Sequence, residues 1–381
     1  MMRLRTIICV LAMAACTGST GPAGPEGAQG SAGPQGDQGS QGDQGSQGDQ
    51  GSQGSQGSAG SNGSDGQLRI YGDGTAGAVT IAADTDWSAT PPADDNYQFT
   101  TFTVNAGVTL TVLPGTVIRC TGSCANKGTI LVVPGANGGF ECMQPAVGLY
   151  AVVEAGPNAF GYTAGLGEVT TSGVQAVGGI GYGTSETFAE SIVNVGVNGG
   201  GGGAGNGGAG GGTLTILGEV AVTNGAGATI SARGQDADDT TGCAQVDGTE
   251  SGGGGGGGGG YVILASMTAV TQAGSIDVSG GAGGPSGTYF APGGGGGGGL
   301  VHLYAPTVTH TGSETLTAGA NGTGTGTLAT SPRSAGASGG AGTSFGGSGG
   351  SLDTTNTIVA GGTGLDGFSF TSELDPTALF Y

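Results

Sequence analysis

The sequence predicts two architectures in series: a triple-helical stalk, then an all-β head built as a parallel β-helix or solenoid with glycine-rich insertions. Three observations predict it. Glycine stands at every third position from Gly18 to Gly66 without a break. Beyond Arg69, apolar runs are short, β-branched and punctuated by Gly, Asn, Asp and Pro, the pattern of strands and turns. In the second half, long glycine runs repeatedly precede a strand-like segment. A β-sandwich is the alternative for the head, because both folds are written as short alternating strands with frequent turns.

The stalk is the most specific of these. Residues 18–68 hold seventeen consecutive Gly-X-Y triplets. Three polyproline-II strands can wind about one axis only where the axial residue has no side chain. The stretches GPAGPEGAQG and GPQGDQGSQG and the GDQGSQ repeat resemble the collagen triple helix. The departures are informative. Proline occurs only at Pro22, Pro25 and Pro34, always at X, so the usual hydroxyproline site is vacant. That suits a chain made without prolyl hydroxylation, as in bacteria. No Lys or Arg lies between Arg5 and Arg69 to pair with Glu26, Asp37, Asp43, Asp49 and Asp65. Their repulsion across a trimer is screened by salt. A triple-helical rod of this length is roughly 150 Å long. The alternative is a disordered Gly/Ser/Gln linker, which has no need of a strict period.

Residues 1–15 are expected to be processed. Arg3 and Arg5 form a basic start, and Thr6 to Ala15 is an apolar run too short to span a bilayer. It ends Met13-Ala14-Ala15-Cys16, which resembles the bacterial lipoprotein cleavage box. The resemblance implies cleavage before Cys16, lipidation of its sulfur, and residues 16–17 as the lipidated N-terminus. The alternative is an ordinary secretory signal cleaved near Ala15. Either way the mature chain is exported.

Composition bounds the rest. The chain has 94 glycines in 381 residues, 9% charged residues and a net charge of −20. Six Arg and Lys127 are its only fixed cations, which excludes nucleic acid binding through phosphates. Past the export segment, cysteine occurs at Cys120, Cys124, Cys142 and Cys243. In an oxidising compartment these are disulfide candidates with three connectivities open. Neither CxxC spacing nor a nearby histidine points to zinc.

The head divides into an N-terminal β-rich region, 69–198, and a glycine-rich repetitive β region, 199–381. In the first, Thr101–Val104, Val108–Val112, Gly115–Arg119 and Gly128–Val133 alternate Val, Leu or Ile with Thr, as stacked coils of a solenoid would. In the second, strands begin at Thr213, Tyr261 and Leu300, each behind a glycine run. Such runs have two uses. They can pack closely as polyproline-II-like helices bonded side by side, or serve as floppy loops between rungs. Glycine's entropy cost makes the loop the default. The head loosely resembles glycine-rich β-helical regions of bacterial surface proteins and phage-type fibres.

No catalytic set is expected: HExxH and a Walker A around Lys127 are absent. His302 lies in an alternating strand and is expected to be a packed or solvent-facing residue. Three acidic clusters, Asp84/Asp86, Asp94/Asp95 and Asp236/Asp238/Asp239, sit among loop residues. The third is the candidate calcium site, and Gly361–Phe368 fits a calcium nonapeptide once. No other cofactor is implied. Phe160, Tyr162, Tyr289 and Phe290 lie in loop-like segments and are candidate ligand-binding aromatics.

Anchor, stalk and head together suggest a homotrimeric, lipid-anchored surface adhesin or receptor-binding fibre. Its place would be the bacterial cell surface at the outer membrane, and its ligand a glycan or other surface polymer. A passive structural matrix protein is the alternative, and a β-helix polysaccharide-degrading enzyme the third reading.

Overall fold

A computed structural model describes residues 70–135, 207–237, 253–285, 291–324, 339–340, 342, 344–352 and 357–378. All described residues lie within one unit of the chain, Gly60–Tyr381.

The head winds through three parallel sheets in rotation. The first rung is β1 (Ala78–Ile81), β2 (Thr85–Asp86) and β3 (Gln98–Phe99). The second is β4 (Thr101–Val104), β5 (Thr109–Val112) and β6 (Thr116–Cys120). The third is β7 (Ser123–Asn126), β8 (Thr129–Val132) and β9 (Thr213–Gly218). The fourth is β10 (Ala221–Asn224), β11 (Thr229–Ser231) and β12 (Tyr261–Ser266). The fifth is β13 (Ala269–Gln272), β14 (Ser275–Asp277) and β15 (Leu300–Tyr304). The last holds β16 (Thr307–His310), β17 (Ser313–Thr315), the antiparallel pair β18 (Ser351–Leu352) and β19 (Ile358–Val359), and finally β20 (Phe368–Ser372). Sheet A runs β1-β4-β7-β10-β13-β16, sheet B runs β2-β5-β8-β11-β14-β17, and sheet C runs β3-β6-β9-β12-β15-β20. Every pairing within these three is parallel. A sandwich is built from antiparallel sheets, so the solenoid reading of the head stands and the sandwich does not. Pairing also runs straight across residue 198: β6 bonds to β9, and β7 to β10.

The core is one interior column. Leu110, Ile130, Ile230 and Ile276 stack in register along sheet B, and Ile118, Ile216, Leu264 and Leu303 along sheet C. All eight are buried. Sheet A adds Phe102, Cys124, Val222 and Val270, and beside them a polar row, Asn126, Asn224 and Gln272. Asn126 donates to Asn224 at 2.9 Å and Asn224 to Gln272 at 2.7 Å. Each amide therefore satisfies the next, as buried polar groups require. Cys120 and Cys124 are joined by a disulfide across the turn from β6 to β7.

The two outer surfaces differ. Sheet A alternates cleanly and turns Thr80, Thr103, Ala125, Thr223, Thr271 and Thr309 outward in one row. The middle strands of sheet C, β9, β12 and β15, are buried on both faces, which is why they read as continuous rather than alternating runs. Ile70 and Tyr71 help cover it, packing with Leu217, Ile263, Ala265 and Tyr304.

The glycine runs correct the loop expectation. All four long insertions leave a sheet B strand and return to a sheet C strand: residues 133–212, 232–260, 278–299 and 316–367. The described glycines of these insertions form a hydrogen-bonded bundle. A chain with three residues per turn and no internal bonds points successive N–H and C=O groups in three directions. Residues 293–299 show this best. Gly293, Gly296 and Gly299 donate to Gly284, Gly281 and Val278 at 2.9, 2.8 and 2.9 Å, a step of three on both antiparallel segments. Gly295 and Gly298 donate to Gly362 and Leu365 at 3.2 and 2.8 Å, and Gly297 to Gly340 at 2.9 Å. The same segment accepts from Gly256 and Gly259 at 2.9 and 2.7 Å, from Gly319 and Gly322 at 2.8 Å each, and from Gly347 and Ser344 at 2.7 and 3.3 Å. Six neighbouring segments thus surround one, and residues 291–299 are all buried. A Cβ on Gly296 would fall within 3.0 Å of Gly257 and Gly258 backbone. No side chain fits there, so composition and packing are one fact.

Candidate functional site

A cleft of about 640 Å³ opens on the outer side of the first two rungs of sheet C, within the size range of ligand pockets. The first rung contributes Asp95, Tyr97 and Gln98; the second contributes Leu113–Thr116, Val117 and Arg119. Gln98 and Arg119 are direct partners across β3 and β6. Strand alternation therefore brings both side chains to one row of the same face.

Segment 70–73 orients that row. Arg119 Nε donates to the Ile70 carbonyl at 3.0 Å, and Gln98 Oε1 accepts from the Asp73 amide at 3.2 Å. Burial lowers the Arg119 pKa from its ordinary value. Tyr97 is held edge-on to Trp87, with ring centroids 5.6 Å apart. Burial raises the Tyr97 pKa, and the nearby Asp95 charge adds to it. Asp94 and Asp95 both adopt left-handed backbone, with φ of 56° and 50°. Non-glycine residues there carry strain and cluster at functional sites. The cleft thus presents a fixed cation, amide and hydroxyl donors, a carboxylate and an apolar floor of Leu113, Pro114 and Val117.

The sequence-based candidates fall differently. Asp236 is described, and its carboxylate is engaged by protein: Oδ1 accepts from Arg233 at 2.8 Å and from the Ala282 amide at 2.8 Å. It fastens the edge of the glycine bundle. Asp366, from the calcium-like nonapeptide, does the same for the Ala318 amide at 2.8 Å. Among the described residues no cluster of three His, Cys, Asp or Glu side chains is placed to hold a metal ion. Asp86 accepts from the Ser88 and Ala89 amides and so forms a turn, while Asp84 accepts from the Thr109 amide of the next rung. Cys16, the stalk 18–68, Cys142, Cys243, Phe160, Tyr162, Asp238, Asp239, Tyr289 and Phe290 lie outside the described residues.

His302 is packed, not solvent-facing. It is fully buried, stacks on Tyr304 at 3.6 Å between ring centroids and bonds Ser372 Oγ at 2.9 Å. Burial pushes its pKa down to about 3, so it is neutral near pH 7.

Residue types alone did not single out Arg119, Tyr97 and Gln98. One signal was present: Arg119 is a charge inside the alternating run Thr116-Val-Ile-Arg-Cys120, on the outward phase of an otherwise apolar strand.

Residues 16–77 match the collagen triple helix repeat family, described with 20 copies. The chain therefore carries a collagen-like Gly-X-Y segment, and such repeats imply self-association into trimers. The match runs past the strict register, which fails at Arg69, and its last residues, 70–77, belong to the β head. No curated protein and no solved structure matches the chain. Among the described residues no helix is long and apolar enough to cross a membrane.

Proposed function

We propose that this chain is an exported, lipid-anchored, trimeric surface protein whose heads bind a glycan or other surface polymer. The observation that carries the reading is a collagen-like repeat in the same chain as a rigid all-β head. A triple helix joins three copies of whatever follows it, and three weak sites together bind far more tightly than one. Cys16 is the anchor in this account, cleaved at Ala15 and lipidated at the outer membrane. The cleft between the first rungs supplies the kind of surface a sugar recognises: aromatic, amide and charged groups beside a small apolar floor.

The test compares the mature chain with a chain lacking residues 18–68 on an immobilised glycan array. The reading expects both to recognise the same glycans. The stalked form should be retained at roughly 100-fold lower concentration or better. Equal retention of both forms would remove the avidity argument.

The passive structural reading has its own support. The outward row of sheet A is threonine at five of its six rungs and alanine at the other, without charge or aromatic groups. A head that binds no array component in either form would favour that reading. The enzyme reading needs one of the acidic clusters to fold into a groove beside Arg233, Arg333 or Lys127. Arg233 instead pairs with Asp236 on an exposed surface, which lends no support to a catalytic groove there.

A further inference from the structure

Arg119 is anomalous in this protein. The chain carries 27 acidic side chains against seven Lys and Arg. Among the described residues, Arg119 has no carboxylate within 4.0 Å, whereas Arg233 is paired. It is also half-buried, where an unpaired cation is costly. A surplus of carboxylates makes pairing easy to arrange, so a half-buried arginine left without one marks a place kept for an outside anion. The backbone reinforces this. Nε is committed to the Ile70 carbonyl at 3.0 Å, which fixes the guanidinium and leaves its two terminal nitrogens as a fork of donors on the cleft. That fork matches a planar carboxylate in a way a point charge does not.

We propose that the cleft takes a carboxylate-bearing sugar unit of a surface polysaccharide, a uronic-acid type residue, with Arg119 as its anion contact. This rests on the glycan-binding reading above and names the class of sugar. Tyr97, held against Trp87, offers a ring for the C–H face of a pyranose. The Gln98 amide group, its oxygen already tied to Asp73, has its N–H donors for ring hydroxyls. Asp95 stands on the rim with its left-handed backbone and accepts from a sugar hydroxyl. Its charge also fixes polarity: the sugar carboxylate must lie at the Arg119 end, away from Asp95. A neutral sugar would leave Arg119 half-buried and unpaired, and a highly charged polymer lacking free hydroxyls would meet Asp95 unfavourably.

The experiment is calorimetric titration of the full mature chain with three probes. These are an oligogalacturonate, the same oligomer fully methyl-esterified, and a neutral dextran oligosaccharide of equal length. A charge-assisted hydrogen-bonded pair is lost on esterification, so the acid form should bind at least about tenfold more tightly than the ester. Arg119→Gln should abolish that preference, and Arg119→Lys should restore part of it because charge returns without the fork. Tyr97→Ala should weaken all three probes alike. Equal binding of acid and ester by the unaltered chain overturns the proposal, and that comparison does not depend on any variant folding. The same holds if Arg119→Gln keeps the preference. Array binding that persists in either case leaves the broader glycan reading standing, while absence of any array binding overturns both.

Discussion

Replacing Gly296 with alanine separates a packed glycine bundle from a set of loops by the sign of its effect. The new Cβ would fall within 3.0 Å of Gly257 and Gly258 backbone. No flexible side chain is there to yield. Segment 293–299 must therefore move away from 253–260, weakening the bonds from Gly256 to Gly294 and Gly259 to Gly297, at 2.9 and 2.7 Å. It also disturbs the bonds at Gly296 itself, to Gly281 and from Gly319, both 2.8 Å. Overpacking costs about 1–3 kcal/mol, and two to four disturbed bonds add about 1 kcal/mol each. The expected loss is about 3–7 kcal/mol, a large share of an ordinary domain's stability. In a flexible loop the same change would be neutral or stabilising by about 0.4–1 kcal/mol, since alanine restricts the unfolded chain. The assay is urea unfolding of the head followed by far-ultraviolet circular dichroism. Gly227→Ala is the control: nothing lies within 4 Å of its Cβ position, but φ is +79°, so only the left-handed strain of about 1–2 kcal/mol applies. A Gly296→Ala protein as stable as the unaltered chain would refute the packing argument.

Three further outcomes follow from the core. Asn224→Leu breaks the buried amide row, leaving Gln272 Oε1 without its donor and Asn126 without one acceptor. A loss of about 2–4 kcal/mol in urea unfolding is expected, against about 0.5 kcal/mol or less for the outward neighbour Thr223→Ser. His302 titrates near 3 in the fold and near 6.5 in its ordinary state. The unfolded chain therefore binds the extra proton between those values. The stabilisation from its neutral form is present above about 6.5 and is lost as pH falls towards 3, by up to about 1.4 kcal/mol per pH unit. His302→Phe should flatten that part of the stability profile, and an unchanged slope would contradict the assignment. Reducing Cys120–Cys124, four residues apart, opens a short loop and should cost about 2 kcal/mol, read as a shift in the urea midpoint under reductant.

Legibility varied with how far each signal was local. The stalk was plain because its constraint, no side chain at the axis, acts at every third residue. The strands Thr101–Val104 and Thr109–Val112 were plain because they alternate Thr with a buried Phe, Leu or Val. Others were not. Ser123–Asn126 lacks any β-branched residue and is a strand because Phe102 and Val222 flank Cys124 in register. The segments Ala221–Asn224 and Ala269–Gln272 read as spacers between the stronger strands, yet they form sheet A and carry the amide row. The glycine runs could be read either way from composition. What decides between bundle and loop is the presence of other runs at the right distance, and that is set by the solenoid stacking its insertions at one corner. The cleft was least legible. Arg119 and Gln98 meet only through the pairing of β3 with β6, and a two-residue strand such as β3 leaves almost no trace in sequence.

The central claim is that a collagen-like repeat gathers three of these heads. Sedimentation equilibrium on residues 17–381, with circular dichroism on the same sample during heating, tests it most directly. The account predicts a trimer with a positive band in the polyproline region. That band should be lost cooperatively on heating, and the mass should fall to one chain in the same transition. A single-chain mass at every temperature, with no such transition, would contradict it.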